Sequence, residues 1–485
     1  MMHLDYKRLL STHATSIIVV AGCALRLYHY LRNPSVWHDE AALIVNVLDQ
    51  SFLQLLGPLR WNEAGPPLFL WAERALALLL GDSTYALRLL PLLASCAGLT
   101  LFAAAVRRIL SSSAVPWAVL LFACSDRLLW HACEAKPYAL DVFFAAAVLF
   151  TMSRIRDWPL DGQLWLWALL SPVMIFASFP ACFVIGGLFL FYLPLVRRNA
   201  TWQQRALYTL WSGIVVICFS VLYFGPIQAQ RNSSMEECWT LHFPNWGRPW
   251  TLPIWSVAST AEVFRYCFLP VGNLLFPFAL IGAFAFWRSE QRRWITLLAG
   301  PLALAWVAAC LHGYPYGGSR LEIFALPGLA VLIAAGAEKA LLWLQARWSL
   351  GRNLVYVCLL VPIGAGLVSI ALPWPRADVA AAANYIQFHR EPDDCIRANH
   401  WEYVYYFHKS GECDEILSDQ EPATANRVWL AITTPEAVNR QALLQPWLQN
   451  WTVREEREFK WTSVWLLERQ ATPVTPVPPA ATGGQ

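Results

Sequence analysis

Stretches of about twenty mainly apolar residues recur along the whole chain. Nothing constrains its fold more, because a run of that length is what a helix needs to cross a bilayer. The windows fall at 14–31, 86–106, 115–132, 137–153, 163–178, 180–196, 206–226, 264–287, 294–312, 321–344 and 353–373. They predict about eleven crossings. The rest of the composition agrees. Of 485 residues 57% are hydrophobic and 14% charged, 26 are Trp, and the mean hydropathy is +0.40, which excludes an ordinary soluble globule. A formal net charge of +3 without a basic run gives no footprint for nucleic acid.

Basic residues near span ends set orientation, since they stay on the cytoplasmic side. Lys7 and Arg8 put the N-terminus inside. Alternation from there leaves Arg107 and Arg108, Arg154 and Arg156, Arg197 and Arg198, Arg288, Arg292 and Arg293, and Arg347 and Arg352 in cytoplasmic loops. The outer face then receives loops at 32–85, 132–137, 227–263 and 313–320, and everything after 374. All elaboration lies on that face, which is where loops carry function. The residues VAGC at 20–23 resemble a lipoprotein cleavage box, but Arg26 and more apolar residues follow at once, so an uncleaved first helix is expected.

In the first outer loop, EAALIVNVLDQSFLQLL reads as a helix with Asn46, Gln50 and Gln54 at every fourth position and apolar residues on the other faces, suited to lying in the membrane interface. WNEAGPPLFLWAERALALLLG, opened by Pro66 and Pro67, is short for a crossing and reads as a second, partly immersed helix. Residues 375–470 change character. ADVAAAANYIQFHR and PEAVNRQALLQPWLQNW look helical, DDCIRAN and RVWLAITT look like strands, and REEREFKWTSVWLLE like one or two closing strands. The expected organisation is an all-α polytopic membrane domain over 1–374, a small extracytoplasmic α/β domain over 375–470, and a disordered Pro-rich tail over 471–485. Cys395 and Cys413 both fall in the exported domain, which leaves a disulfide between them open.

Three charged clusters sit at outer boundaries, where ionisable groups are costly unless solvated or used. The first is His38, Asp39 and Glu40 in PSVWHDEAAL. Capping of the following helix accounts for one of these acids and leaves the second unexplained. The next is EAKPYALD, with Glu134, Lys136, Tyr138 and Asp141; Lys136 either snorkels to the interface or serves a site. The last, HGYPYGGSR, carries Tyr316, a Gly317-Gly318 turn and Arg320. Acids and bases from three loops thus face one compartment.

An acidic pair after the first span, an amphipathic helix, WNEAGPPL, ALRL at 86–89 and KPYALD after the third span resemble, in that order, the GT-C membrane glycosyltransferases. The nearest branch is that of the protein O-mannosyltransferases and the lipid A aminoarabinose transferase, and the likeness covers roughly residues 14–345. It implies transfer of a sugar from a polyprenyl-phosphate donor to a lipid, polysaccharide or protein acceptor at the outer face of a membrane, the bacterial inner membrane being the expected one. On that resemblance Asp39 is the candidate base, with Glu40 beside it, because a hydroxyl attacking an anomeric carbon must lose its proton. Lys136 and Arg320 are the candidates to meet the charge that develops on the leaving phosphate. His38, Glu63, Glu134, Tyr138, Asp141 and Tyr316 are substrate-binding candidates. No cofactor is assigned; Glu40, Glu63 and Glu134 are acids that a divalent metal would use. The chain departs from better-known members in His38 before the acidic pair and in Lys136 where some relatives carry Arg, which keeps the charge but alters donor geometry. Rival functions are a lipid-linked glycan polymerase or ligase, and a transporter or lipid flippase. The latter is disfavoured by the lack of an internal repeat and by ionisable groups at span ends rather than at mid-bilayer.

Overall fold

A computed structural model describes residues 2–344, 348–408, 416–418, 420–422, 425–434 and 439–470, with side chains from residue 13 onward. The expected tail and Cys413 lie outside the described residues. The chain divides into two compact units, one of residues 1–34 and 42–374, the other of residues 35–41 and 375–485.

In the larger unit every apolar window is helical, but in two different ways. Eight windows are single helices long and apolar enough to span: His13–Arg32, Thr84–Ile109, Tyr138–Ile155, Leu160–Ala177, Ala181–Asn199, Trp202–Gln230, Arg320–Leu344 and Ser349–Val368. The other three are interrupted. The window 115–132 splits into Val115–Ala123 and Asp126–His131, with the Ser125 hydroxyl capping the second piece by accepting from the Leu128 amide. The window 264–287 belongs to a pair, Pro249–Cys267 and Gly272–Trp287, bent by 107° with Pro270 in the gap. The window 294–312 breaks into Trp294–Leu298 and Gly300–Cys310. Hydropathy counts apolar residues and is blind to such breaks, so among the described residues the eleven windows yield eight continuous helices long and apolar enough to span, or nine with the bent pair.

Close crossings hold this unit together. A Cβ on Gly336 would stand 1.8 Å from the Phe278 carbonyl oxygen, and one on Gly282 would stand 2.0 Å from that of Leu332. Backbones therefore meet directly where Phe276–Trp287 packs on Leu326–Leu344, as small residues allow in membranes. Arg26 in the first span turns inward. It donates to the Ser95 hydroxyl at 2.8 Å and to the Gly22 and Ala123 carbonyls at 2.9 and 3.0 Å, which is how a buried guanidinium is made tolerable.

The segment expected as the first outer loop differs from its sequence reading. The helix runs over His38–Asp49 and stops, and a separate single turn follows at Gln54–Leu56. Ala41 through Val47 are all buried, with Leu43 and Val47 packed among Phe69, Leu70, Ala94 and Leu140. The Asn46 amide is satisfied internally: it donates to the Ala42 carbonyl at 2.7 Å and accepts from the Arg60 amide at 2.9 Å. The polar row that read as a water-facing stripe is thus partly a buried tether. The second helix, Pro67–Leu80, is 14 residues long with Pro67 in its first turn and Gly81 at φ 89° ending it.

The smaller unit is a four-stranded sheet of order β1-β2-β4-β3, from β1 (Cys395–Ala398), β2 (Arg427–Thr433), β3 (Trp451–Phe459) and β4 (Thr462–Arg469). β1 and β2 are parallel, and the other two pairings are antiparallel. The helix Val379–His389 covers one face through Val379, Ala382, Ala383 and Ile386 against Ile396, Trp429 and Val464. Leu444 covers the other against Val428, Leu430, Trp451 and Trp465. β2 is apolar over residues 428–432, where it is buried on both faces, whereas β3, at the edge, exposes charged residues in its REER run. PEAVNRQALLQPWLQNW, expected as a helix, supplies Arg440–Leu444 and a turn at Trp447–Gln449 on either side of Pro446. The short helix Glu402–Tyr406 had no periodic signal in the sequence.

Candidate active site

Within the larger unit, the turn between Asp126–His131 and Tyr138–Ile155 carries EAKPYALD, and every residue from His131 to Asp141 is buried. Lys136 is 1% exposed and its ammonium is bonded to the Glu63 carboxylate, itself 8% exposed. Lys136 therefore does not snorkel outward. Glu63 is delivered by Trp61 and Asn62, two consecutive non-glycine residues in the left-handed region at φ 59° and 55°. Its other oxygen accepts from the Ala64 amide at 3.0 Å.

Beside this pair, His131 bridges two partners. Its Nδ1 is 2.8 Å from the Glu134 carboxylate and its Nε2 is 3.0 Å from the Tyr266 hydroxyl. The Tyr138 ring lies 4.8 Å from the His131 ring, and the Arg320 guanidinium stands 5.9 Å from the Tyr138 ring and 5.9 Å from that of Trp239. Arg127 adds a third cation, 5.1 Å from the Tyr266 ring. An arginine beside two aromatic rings is held in part by cation–π attraction. The larger unit thus gathers Glu63, Glu134, Lys136, Tyr138 and Arg320, five of the residues singled out in the sequence.

Asp141 is buried three residues beyond Tyr138, on the same side of that helix. Tyr316 has a different setting. Its hydroxyl is 2.8 Å from that of Thr260, its amide donates to the His242 carbonyl at 3.0 Å, and burial pushes its phenol up to about 12. It anchors the loop to the helix Leu252–Cys267. The turn after it is set by Gly318 at φ 77°, where a Cβ would lie 2.4 Å from the Glu262 backbone.

The smaller unit holds the start of the His38–Asp49 helix. Asp39 and Glu40 occupy its first turn, where the dipole favours negative charge. His38 is exposed, Asp39 half-buried and Glu40 fully buried, 3.6 Å from Arg376. The His38 ring is 5.3 Å from the His400 ring, and its carbonyl accepts from the Trp401 indole N–H. Burial, opposed by the His38 amide and by Arg376, raises Glu402 to about 8, while burial and His38 lower His400 to about 4. Both are therefore neutral near pH 7, and their 3.6 Å approach is a contact of uncharged groups rather than an ion pair.

Sequence reasoning passed over His131, Tyr266, Trp239, Arg376, Trp401 and Glu402. His131 had a usable signal in its three-residue spacing to Glu134. The others are solitary residues whose relevance arises from long-range packing. Glu63 and Glu134 each have a cationic or imidazole partner, and among the described residues no three His, Cys, Asp or Glu side chains gather into a metal-binding set. A cavity of about 780 Å³ opens in the larger unit, lined by Pro67, Trp71, Phe176, Phe224 and Pro226, the last two in the π-helical turn Tyr223–Ile227.

No family model matches the sequence, nor does any curated protein. Solved structures do match in fold. ArnT from Cupriavidus metallidurans bound to undecaprenyl phosphate aligns with a TM-score of 0.53 at 13% identity, over 93% of this chain and 97% of that one. Its apo state gives 0.54 at 13% identity over 94% and 98%. The oligosaccharyltransferase of Archaeoglobus fulgidus tethered with an acceptor peptide is looser, at 0.44 and 10% identity over 78% of this chain and 57% of that one, and nothing rests on it. At such identities the likeness speaks for the fold alone: this chain has the fold of ArnT.

Proposed function

We propose that this protein is a membrane glycosyltransferase that moves a sugar from a polyprenyl-phosphate donor to a hydroxyl-bearing acceptor at the outer face of the membrane. The observation that carries the proposal is the pair of cations in the larger unit, buried Lys136 and half-buried Arg320, the latter 5.9 Å from the Tyr138 ring, in a chain with the fold of ArnT. That ArnT is solved with undecaprenyl phosphate supports a polyprenyl phosphate as the carrier here. The apolar cavity of about 780 Å³ supports a long hydrocarbon tail on the donor.

The chemistry follows from the side chains. The acceptor hydroxyl attacks the anomeric carbon, its proton passes to the Asp39 carboxylate, and the carbon–oxygen bond to phosphate breaks. Polyprenyl phosphate leaves with the bonding electrons. Lys136 and Arg320 meet the charge that develops on it, and electrostatic stabilisation of this kind often contributes more to the rate than any other effect. A phosphate is a good leaving group, so one base suffices, unlike hydrolysis of an ordinary glycosidic bond.

The test is transfer from a panel of radiolabelled undecaprenyl-phosphate hexoses and pentoses, with native-membrane extract supplying the acceptor. Label appearing on a membrane component supports the reading. Label that crosses the bilayer of a proteoliposome unchanged makes the protein a transporter and overturns it.

A further inference from the structure

The turn that bears Asp39 is tied to residues far along the chain. Its neighbours in the chain, Pro34, Ser35 and Val36, form no helix, and the residues that grip it come from more than 330 positions further on. The Trp401 indole N–H donates to the His38 carbonyl, and the His38 amide is hydrogen-bonded to the Glu402 carboxyl. Arg376 sits 3.6 Å from Glu40 and donates to the Ser35 carbonyl at 3.0 Å. Ser35 in turn donates to Asp378 at 3.2 Å, and the Val36 amide donates to the Tyr406 hydroxyl at 3.0 Å. Residues on both sides of Asp39 are thus tied to the smaller unit, while Asp39 itself remains half-buried at the helix start.

We propose that Arg376, Trp401 and Glu402 are positioning residues for Asp39, so that the C-terminal α/β unit sets the base's orientation and is part of the transfer machinery. The inference rests on the reading of Asp39 as the base. Its physical ground is that a carboxylate on a first helical turn follows the direction in which the helix begins. That direction is fixed here by the His38 amide and carbonyl and by the buried Glu40. Fixing a reacting group in this way is worth much in rate, since displacement by about 1 Å can cost about a hundredfold. Glu40 accordingly becomes an anchor. Its carboxylate is turned to Arg376, which separates its role from that of Asp39 although the two are adjacent.

The experiment compares kcat and donor KM for the parent chain, Trp401→Phe, Arg376→Gln and Arg376→Lys, each also in an Asp39→Asn background. The assay uses the panel donor that the parent transfers. Trp401→Phe keeps an aromatic ring, though a smaller one, and deletes the N–H. It should lower kcat about ten- to a hundredfold with donor KM within about twofold. Arg376→Gln should do the same and Arg376→Lys should recover most of the loss. In the Asp39→Asn background each loss should vanish, because a residue that acts through Asp39 has nothing left to act through. Parent-like kcat in Trp401→Phe overturns the proposal, and so does an equal fractional loss with Asp39 replaced. If Arg376→Gln fails to fold, Trp401→Phe and Arg376→Lys still decide. A parent chain that transfers no label from any donor overturns the proposed function itself, a result distinct from an active parent with an indifferent Trp401→Phe.

Discussion

Lys136 and Glu63 form a buried ion pair, and one partner comes from a turn built on two left-handed residues. Taking both charges out of water costs several kcal/mol per ion, so either one alone in that position is strongly unfavourable. A phosphate that reaches Lys136 would take over the role the Glu63 carboxylate has in this structure.

Lys136→Met should therefore destabilise the protein by about 3–5 kcal/mol, because it strands Glu63. The double variant Glu63→Gln with Lys136→Met should regain most of that stability, read as thermal unfolding of the full chain in detergent. Undecaprenyl phosphate binding should not return with it. Recovery of both would reduce Lys136 to a structural partner of Glu63.

Arg320 is held between the Tyr138 and Trp239 rings. Arg320→Lys keeps the charge but loses the planar stack, worth about 0.5–1 kcal/mol or more when desolvated. It should weaken undecaprenyl phosphate binding less than Arg320→Gln does. Equal loss from the two would show that charge is irrelevant there.

Glu402 and His400 give the stability a pH dependence of defined sign. Glu402 is raised to about 8 from an ordinary 4.5, so its contribution is complete below the unfolded value and lost as pH rises through about 8. His400, lowered to about 4 from 6.5, contributes above its unfolded value and loses this as pH falls through about 4. The melting temperature of Glu402→Gln relative to the parent should therefore climb from pH 5 to pH 9. A difference that stays flat across that range would contradict the burial of a neutral Glu402.

Single cysteines introduced at 62, 245 and 420 should label from outside the cell and one at 110 from inside, following the basic loops. Labelling of 420 from the cytoplasm alone would invert the orientation and with it the face on which transfer is proposed.

What the sequence showed and what it hid have physical causes. Helix placement was legible because burial in a bilayer selects apolar residues in long runs, and every window proved helical. Breaks such as that at Cys124 and Ser125 were hidden, since they change hydrogen bonding without changing hydropathy. Lys136, Glu134 and Asp141 stood out because charge in such surroundings is rare. Arg376, in contrast, follows the last span in LPWPRAD, where a single basic residue beside an acid reads as ordinary flanking charge. Its meaning comes from Glu40, 336 positions earlier, and no local pattern carries that. The Asn46 row misled for a related reason: a side chain that satisfies buried backbone looks, in sequence, like one that faces water.

The central claim is that Asp39 removes the acceptor's proton, and single-turnover transfer by Asp39→Asn tests it most directly. Asn caps a helix about as well as Asp, so the first turn should survive the change. The account predicts a rate lower by about 10²–10⁴, with undecaprenyl phosphate binding and thermal stability close to the parent's. A parent-like rate from Asp39→Asn would contradict it and leave the acidic pair as a helix cap with an anchored neighbour.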